Sequence, residues 1–468
     1  MFIVPEPTLL PCTAVPIVVR MLMRHLGGAC VMLALAPAAA VLAQDPPRWV
    51  DGEIGKRVVG FLDAAAPYGF AGSVLVARGG KVVAALGVGH ADLDGRQGVT
   101  ANTLFEIASV TKQFTATAIL LLVQQQRLNL DDPIGRHLSG IPAACDTITV
   151  RHLLQHTSGI PGTNSRGAGD DLAAVLPSFL AGGPRHQPGT HWEYWNQGYA
   201  LLAAIVEATS GQGFTAFCKE RMFVPAGLRT ACFTGDAAPA GVGVAIGVSA
   251  KGEPRSALAH PYGSYGYQYR GMGGAVCSVW DLWHWDRALR GATVLADAAR
   301  KELFTPGPGE YALGWFVRVE QGRKVQRHGG AVRGFLSEVR RWPDEDALLC
   351  VLCHRTDGPF GEVVQGLESI LFGGRAVMPQ PLPLAVGGEL VGTWVEGDRR
   401  LIVRVAGVTL RAELHWGPEG PVTRGVLVGK DLEGLQFFDW REPTPLRVRR
   451  ADKKAVALVL DRLVFTRE

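Results

Sequence analysis

Strand patterns occur at both ends of a long helical stretch, and this order restricts the fold more than any other feature of the sequence. Residues 71–89 contain two short strand-like runs joined by a Gly-Gly turn at 78–81, which predicts a hairpin. Comparable strand patterns return at residues 311–354. The sequence therefore predicts an α+β fold, in which an antiparallel sheet is built from both ends of the domain and flanked by a helical block.

The helical block begins with residues 109–128, a largely apolar run without Gly or Pro that predicts a long, mostly buried helix. Further helical patterns, separated by Gly- and Pro-rich loops, occupy residues 150–154, 171–181, 196–209, 214–222 and 278–290. After the last strands, residues 361–371 predict one more helix.

A change of pattern near residue 380 divides the chain. The Pro-rich segment 377–387 predicts a linker. Residues 388–468 then show short alternating runs with turns about every eight to twelve residues, as in a small antiparallel β-barrel or sandwich. We therefore predict a larger domain over residues 48–376 and a β-rich accessory domain over residues 388–468.

The N-terminal region has the layout of a cleavable secretory signal. Residues 26–43 are almost purely apolar and end in small residues, so a signal peptide is predicted over 1–43, with an exported, periplasmic or secreted product. The Pro-rich stretch before Met21 does not fit a signal peptide, so translation is expected to begin at Met21 or Met23. The apolar run is also long enough for an uncleaved membrane anchor, but its small-residue end favours cleavage and no stable span in the mature chain.

Charge and cysteine content exclude several classes of protein. The formal net charge of +4 gives no basic excess that would indicate a nucleic acid or an anionic membrane as partner. Eight cysteines in 468 residues are too few for a disulfide scaffold, and whether Cys218 pairs with Cys232 stays open. Cys350 and Cys353 have metal-like spacing, but residues three apart on a strand face opposite sides, which favours core packing.

Ser109 and Lys112 form the pattern with the clearest chemical meaning. They open the predicted helix, where residues three apart lie on one face. A neutral lysine amine can take the proton of a serine hydroxyl when burial or a nearby cation lowers its pKa. The N-terminus of the helix would also stabilise negative charge that develops there. The pair therefore predicts a nucleophile beside its base.

Two further elements carry weaker chemical information. Tyr194 and Asn196 stand in a loop before a helix, where a tyrosinate near cationic groups can accept a proton and an amide can orient a lysine or a carbonyl. A packed aromatic loop explains this element equally well. The glycines after His328 would let a substrate backbone lie along a strand edge, although the same His-Gly pattern occurs elsewhere in the chain.

Taken together and in this order, the three elements resemble the penicillin-recognising serine hydrolases. That family comprises class C β-lactamases, serine D-alanyl-D-alanine carboxypeptidases and lactamase-like esterases, and its nucleophile lies in a Ser-x-x-Lys motif. The resemblance covers roughly residues 48–372 and includes the flanking stretches 105–108, 153–160, 198–202 and 273–282. It implies a β-lactamase/transpeptidase-like fold.

The resemblance implies acyl transfer, in which Ser109 attacks a carbonyl, Tyr194 with Lys112 takes its proton, and water cleaves the acyl-enzyme. The oxyanion would lie between the backbone N–H groups of Ser109 and Ala331. The other substrate-binding residues implied are Asn196, His328 and Gly330. The substrate would be a small molecule or short peptide, and neither a cofactor nor a metal is implied.

Two positions depart from the family pattern. His328 stands where lactamases usually carry a charged lysine that holds the antibiotic carboxylate, and a neutral histidine would hold it less well. This favours an ester, an amide or a small D-amino-acid peptide as substrate. Trp195 replaces a small residue and leaves the shape of the pocket open. A weak class C-like β-lactamase and a catalytically silent binding or regulatory protein remain as alternatives.

Other candidate features are less specific. His152 and His156 are four residues apart and could share a zinc ion, but no H-E-x-x-H pattern accompanies them. The tyrosines Tyr262, Tyr265, Tyr267 and Tyr269 either line a cleft or pack a loop. The C-terminal domain resembles the small lipocalin-like barrels appended to some family members, with a role in capping the hydrolase or in binding a partner. Oligomeric state is left open by the sequence.

Overall fold

The computed structural model describes residues 45–163, 169–249, 252–406, 409–438 and 443–468. The signal peptide predicted over residues 1–43 lies outside these ranges, and so do Cys12 and Cys30. Within them, no single helix is long and apolar enough to cross a membrane. One bent pair, Asn196–Ser210 with Phe214–Ala226, meets that criterion when its two helices are taken together.

Helices and strands alternate through the first three quarters of the described chain, and strands dominate the rest. The α-helices are α1 (Gly52–Ala65), α2 (Lys112–Gln124), α3 (Val150–Leu154), α4 (Leu172–Phe179), α5 (Asn196–Ser210), α6 (Phe214–Cys218), α7 (Val224–Ala226), α8 (Val279–Arg290), α9 (Asp297–Leu303), α10 (Phe360–Leu371) and α11 (Leu384–Gly387). Between them lie a π-helical turn at Lys219–Phe223 and 3₁₀ turns at Ala66–Tyr68, Ala108–Thr111, Ile134–Arg136, Ala143–Cys145, Pro308–Glu310 and Gly388–Leu390.

The strands belong to two large sheets and two small ones. They are β1 (Trp49–Val50), β2 (Gly72–Arg78), β3 (Lys81–Val88), β4 (Phe105–Glu106), β5 (Cys232–Phe233), β6 (Ile246–Ser249), β7 (Gly252–Ser256), β8 (Ala275–Cys277), β9 (Phe316–Glu320), β10 (Arg323–Val332), β11 (Phe335–Trp342), β12 (Ala347–Cys353), β13 (Gly392–Glu396), β14 (Arg399–Ala406), β15 (Thr409–His415), β16 (Val422–Val428), β17 (Gln436–Phe438), β18 (Pro443–Ala451), β19 (Lys454–Leu460) and β20 (Leu463–Arg467).

The main sheet is antiparallel and joins the two ends of the larger domain. Its strand order is β1-β3-β2-β12-β11-β10-β9, so the N-terminal hairpin lies beside the C-terminal strands. The register places Leu75 of β2 opposite Cys350 of β12. The turn between β2 and β3 contains Gly79 and Gly80, both with positive φ angles of 58° and 73°, which suit glycine. The predicted α+β fold is confirmed.

The main sheet is covered on both faces, which makes a three-layer domain. Leu75 and Cys350 point into the large core shared with the helical block around α2, α5 and α8. Their neighbours Val76 and Val351 point into the second core beneath α1 and α10. Cys353 also lies in that second core, so Cys350 and Cys353 occupy opposite faces of the sheet, as the spacing predicts.

The cysteines in the described ranges are buried free thiols. Cys218 and Cys232, whose pairing the sequence leaves open, do not form a disulfide in this structure. Burial raises the pKa of the Cys218 thiol well above its ordinary value. These side chains therefore act as small apolar core residues.

In the predicted accessory domain, the eight strands β13 to β20 form a closed antiparallel barrel. Its interior is filled by large apolar side chains, among them the fully buried Trp394, Leu401 and Phe465. This confirms a barrel and not a sandwich. These side chains give the barrel a packed hydrophobic core of its own.

The barrel packs against the larger domain. Val426 and Val428 of β16 join the second core beneath α1 and α10. Arg411 of β15 donates to Asp357 Oδ2 at 2.9 Å and to the Tyr68 carbonyl at 3.3 Å. Segment 377–387, predicted as a linker, contacts the barrel through Leu382, which is fully buried and whose N–H donates to the Leu427 carbonyl at 3.0 Å.

Candidate active site

Ser109 lies in a tight turn between a short strand and the long central helix. β4 is held against β8, and the Ile107 N–H donates to the Ala275 carbonyl at 3.0 Å. Ala108 then adopts a φ of +46°, which is strained for a residue with a side chain. Ser109 follows as the second residue of the 3₁₀ turn, and α2 begins only at Lys112. The single helix predicted from residue 109 to 128 is therefore shorter, ending at Gln124.

Lys112 is fully buried and contacts three oxygen atoms. Its Nζ lies 3.1 Å from Ser109 Oγ, 2.9 Å from Asn196 Oδ1 and 3.0 Å from the Met272 carbonyl. No carboxylate in the described ranges is paired with it. Burial lowers the pKa of Lys112 well below its ordinary value. A neutral amine can give its two N–H groups to the amide and the carbonyl, which leaves its lone pair for the serine O–H.

The Met272 carbonyl belongs to a segment that is hydrogen-bonded on both sides of it, to α2 and to the 3₁₀ turn before α2. Thr115 Oγ1 donates to the Gly271 carbonyl at 2.6 Å, and the Ala275 N–H donates to Thr111 Oγ1 at 3.1 Å. Gly271 has a φ of +77°, and a Cβ there would collide with the backbone of α5. The only sign of this contact in the sequence is the family-like segment at 273–282.

Tyr194 lies beside both Ser109 and Lys112. Burial raises the pKa of the Tyr194 phenol, and a side-chain hydrogen bond with Ser109 offsets only part of that effect. Its ring centroid lies 5.0 Å from Lys112 Nζ. The resting site therefore favours a neutral lysine beside a neutral tyrosine, and not the tyrosinate that the sequence suggests.

His156 fixes the segment that carries Tyr194, a role that no pattern in the sequence indicates. Its ring centroid lies 4.2 Å from that of Tyr194. Its Nδ1 accepts from the Trp195 N–H at 3.2 Å, and its carbonyl accepts from the Glu193 N–H at 2.9 Å. His152, considered with it as a zinc ligand, instead accepts from the Thr149 N–H at 3.2 Å. In both His152 and His156, Nδ1 therefore accepts a hydrogen bond from a backbone N–H.

His328 lies behind the pocket and is bonded on both ring nitrogens. Its Nδ1 carries the proton, because it contacts the Gly329 carbonyl at 2.7 Å, and its Nε2 accepts from the Tyr311 hydroxyl at 3.0 Å. Burial lowers the pKa of His328 to about 3. The side chain is 3% exposed. In this arrangement, His328 supports Tyr311 and has no free nitrogen for a substrate.

A pocket of about 430 Å³ opens in front of Ser109. All nine described lining residues are uncharged. They are Ala108, Ser109, Asn196, Gln197, Tyr262, Gln268, Tyr269, Met272 and Ala331. Of the residues predicted from sequence, Ser109, Asn196 and Ala331 therefore reach the pocket, while Lys112, Tyr194 and His328 stand behind its surface.

Gly330 brings the strand edge close to the turn that carries Ser109. A Cβ at Gly330 would collide with the Ile107 carbonyl and with Ser337 Oγ. The outer neighbour β9 pairs with β10 only as far as Arg327. The end of β10 that contains Ala331 therefore borders the pocket without a partner strand on that side in the described chain, as an oxyanion donor requires.

The tyrosines between residues 262 and 269 take both roles that the sequence left open, since some line the pocket and others pack the loop. Tyr262 and Tyr269 line the pocket, whereas Tyr265 packs behind it with its hydroxyl on the Gly273 carbonyl at 2.8 Å. The Tyr269 hydroxyl donates to the buried Glu106, which also pairs with Arg255. This carboxylate keeps the Tyr269 hydroxyl turned away, so the tyrosine offers mainly its ring to the pocket.

A sequence model of the β-lactamase family matches residues 64–367, the part of the chain that contains the sheet, the helical block and this pocket. The chain belongs to the β-lactamase family. Members of this family related to the chain are serine hydrolases and penicillin-binding proteins.

Relatives of this β-lactamase family protein include a penicillin-binding protein of Bacillus subtilis strain 168, 29% identical over 393 residues and covering 74% of this chain and 86% of that protein. The chain spans 62% of the length of other relatives, such as protein flp of Staphylococcus aureus.

Two solved structures share the fold. The octameric penicillin-binding protein homologue from Pyrococcus abyssi superposes with a TM-score of 0.60 at 23% identity, over 88% of this chain and 100% of that one. The D-amino acid amidase from Ochrobactrum anthropi superposes with a TM-score of 0.60 at 23% identity, over 69% of this chain and 99% of that one.

Proposed function

We propose that this protein is an exported serine hydrolase that forms an acyl-enzyme at Ser109 on an ester, an amide or a short D-amino-acid peptide. The observation that carries the proposal is the 3.1 Å contact between Ser109 Oγ and the buried Lys112 amine, at the edge of an open pocket. Family membership and the shared fold of a D-amino acid amidase support a hydrolase in general terms.

In the proposed acylation, Lys112 Nζ takes the proton of Ser109 as Oγ bonds to the substrate carbonyl carbon. The resulting ammonium then has three N–H groups for the oxygens it already contacts, those of Ser109, Asn196 and Met272. The N–H groups of Ser109 and Ala331 would hold the oxyanion. Tyr194 would give its proton to the leaving group and regain one from Lys112.

Deacylation would reverse these roles. Water gives a proton to Lys112 as its oxygen attacks the acyl carbon, and Ser109 Oγ recovers a proton as the acid product leaves. A depressed lysine pKa serves both halves of this cycle, because the same amine has to be neutral before each attack.

The uncharged pocket supports neutral acyl groups more than β-lactam antibiotics. None of the nine described lining residues is a cation that could hold an antibiotic carboxylate. His328, at the position where lactamases usually carry a lysine, has a pKa lowered to about 3 and would be neutral at physiological pH. A weak β-lactamase activity is therefore a secondary expectation.

The test is the intact mass of the protein after brief exposure to activated esters, D-alanyl peptides and a penicillin. The expected result is a mass gain on the parent protein that is absent from Ser109→Ala, with the retained group naming the substrate class. A folded parent that gives neither adduct nor product with any compound would contradict the proposal and favour a binding protein.

Export is a separate part of the proposal, supported by the apolar run at residues 26–43. N-terminal sequencing of protein recovered outside the cytoplasm is expected to find Gln44 as the first residue. A recovered chain that still begins near Phe2 would contradict both the cleavage and the internal start.

A further inference from the structure

Arg333 places a positive charge at the rim of the uncharged pocket. Its guanidinium carbon lies 5.1 Å from the centre of the Tyr262 ring, and this ring lines the pocket. Both side chains are exposed. An arginine that stacks on an aromatic face keeps its N–H groups at the edge of the guanidinium plane, where they can still bind a carboxylate. A substrate that leaves the pocket past Tyr262 would therefore meet this cation.

The charge of Arg333 is not neutralised by a neighbouring side chain. Arg255 is the arginine next to it and pairs with the buried Glu106. Arg333 itself forms no ion pair with a carboxylate in the described ranges. Of these two arginines, only Arg333 therefore presents an unpaired charge to a ligand.

The backbone of Arg333 is fixed relative to the nucleophile. Its carbonyl accepts from Arg255 Nη2 at 3.2 Å, and the same nitrogen donates to Glu106 on β4, the strand that leads into the turn with the nucleophile. The next residue, Gly334, has a φ of +83°, and a Cβ there would collide with the backbone of β6. The turn that carries Arg333 is therefore packed against β6 and tied to β4.

Arg333 also lies close to the proposed oxyanion site. It follows Ala331 by two residues, and Ala331 lines the pocket and would hold the oxyanion through its N–H. Two residues of backbone span at most about 7 Å. A substrate whose carbonyl carbon lies at Ser109 Oγ can therefore reach Arg333 with a group that is several bonds away from that carbon.

We propose that Arg333 binds an acidic group in the part of the substrate that extends out of the pocket. This rests on the proposed acyl-enzyme function and narrows it to substrates that carry an acid several bonds from the reacting carbonyl. The described lining residues are uncharged, so the reacting part of the substrate would be neutral and the acid would lie outside. Guanidinium and carboxylate groups form paired, charge-assisted hydrogen bonds, and the Tyr262 ring would hold the guanidinium in place for them.

The experiment places an acid on either side of the scissile ester bond. The acyl series consists of the mono-p-nitrophenyl esters of adipic, suberic and sebacic acid. The leaving-group series consists of the acetate esters of p-hydroxybenzoic acid and p-hydroxyphenylpropionic acid. Each acid is compared with its own methyl ester, which gives a ratio of kcat/KM values for each pair and each protein. Comparing this ratio between the parent enzyme and a variant cancels the intrinsic reactivity of the esters.

The variants remove or reverse the charge of Arg333. We expect Arg333→Met to lower the acid-to-methyl-ester ratio by about fivefold or more in at least one series. Arg333→Glu should lower it further, because its carboxylate repels the acid. In the parent enzyme the ratio should fall as salt is added, since salt screens the attraction. Arg404→Met and Arg404→Glu, the same charge changes at an exposed arginine of the barrel, should leave the ratio unchanged.

Two results would overturn the proposal: ratios in Arg333→Met that equal those of the parent enzyme in both series, or an equal fall of the ratio in the Arg404 variants. A failure of the underlying function looks different, because then neither the acids nor their methyl esters would acylate Ser109 in the intact-mass measurement. Circular dichroism of the Arg333 variants and their turnover of the methyl esters show that they are folded and active.

Discussion

The buried neutral state of His328 makes a quantitative prediction about stability. In the folded protein its pKa is lowered to about 3 from an ordinary value of 6.5. As pH falls from 7 to 5, the unfolded chain therefore binds a proton at this residue and the folded chain does not. Stability that is fully present above pH 6.5 is lost as pH falls toward the folded pKa. The loss from this residue between pH 7 and pH 5 is about 2 kcal/mol.

The perturbation is His328→Gln, whose side-chain oxygen can still accept from the Tyr311 hydroxyl but does not titrate. Urea unfolding of both proteins at pH 7 and pH 5, followed by tryptophan fluorescence, gives the change in unfolding free energy for each. The parent is expected to lose about 2 kcal/mol more than the variant over this interval. Equal pH dependence in the two proteins would refute the reasoning, because His328 would then titrate in the folded state as it does in the unfolded chain.

Three other perturbations test neighbouring parts of the structure. Lys112→Met should slow acylation by about 100-fold or more in stopped-flow measurements. In the parent protein, kcat/KM should fall as the pH decreases through the pKa of Lys112, which lies well below 10.5. His156→Phe keeps a ring beside the site but leaves the Trp195 N–H without its acceptor, so urea unfolding should show a loss of about 1–3 kcal/mol. Arg411→Met removes a partly buried ion pair with Asp357 and should lower stability by about 1 kcal/mol in the same assay.

Each of these three expectations has an outcome that would contradict it. Normal acylation in Lys112→Met would exclude this amine as the base. Unchanged stability in His156→Phe would mean that the Trp195 N–H finds another partner. The control for Arg411→Met is Arg404→Met on the neighbouring strand. The Arg404 side chain is exposed, so its removal should leave the free energy of unfolding unchanged. An equal loss of unfolding free energy in both variants would contradict a specific role for Arg411.

The sheet and the barrel were accessible from sequence because both rest on local patterns of apolar residues. β2 and β12 are short, almost continuous apolar runs, since both faces of the main sheet are covered, whereas barrel strands such as β19 alternate between buried and exposed residues. The Ser109–Lys112 contact was accessible for the same reason, since a helical turn brings residues three apart together. Helix bounds were less accurate where a strained residue intervenes, as Ala108 does before α2.

The rest of the site depends on contacts between distant segments, which no local pattern records. The Met272 carbonyl reaches Lys112 across a separation of 160 residues. His156 supports Tyr194 from a different loop, whereas its spacing from His152 suggests a metal site. The bonding of both His328 nitrogens likewise requires Tyr311, which only the folded sheet brings near. The roles of these side chains are set by tertiary packing, which spacing along the chain does not reveal.

The pairing of β2 with β12 also constrains how the protein can be made. Leu75 and Cys350 are neighbours in the sheet, and closing a loop of that length costs about 5 kcal/mol of chain entropy. During synthesis, β2 therefore cannot pair with β12 until most of the domain has left the ribosome. A chain interrupted before residue 323 would expose the edge of β2, a template for aggregation. It would also lack β10, the strand beside Ser109, so the candidate site can form only once the domain is complete.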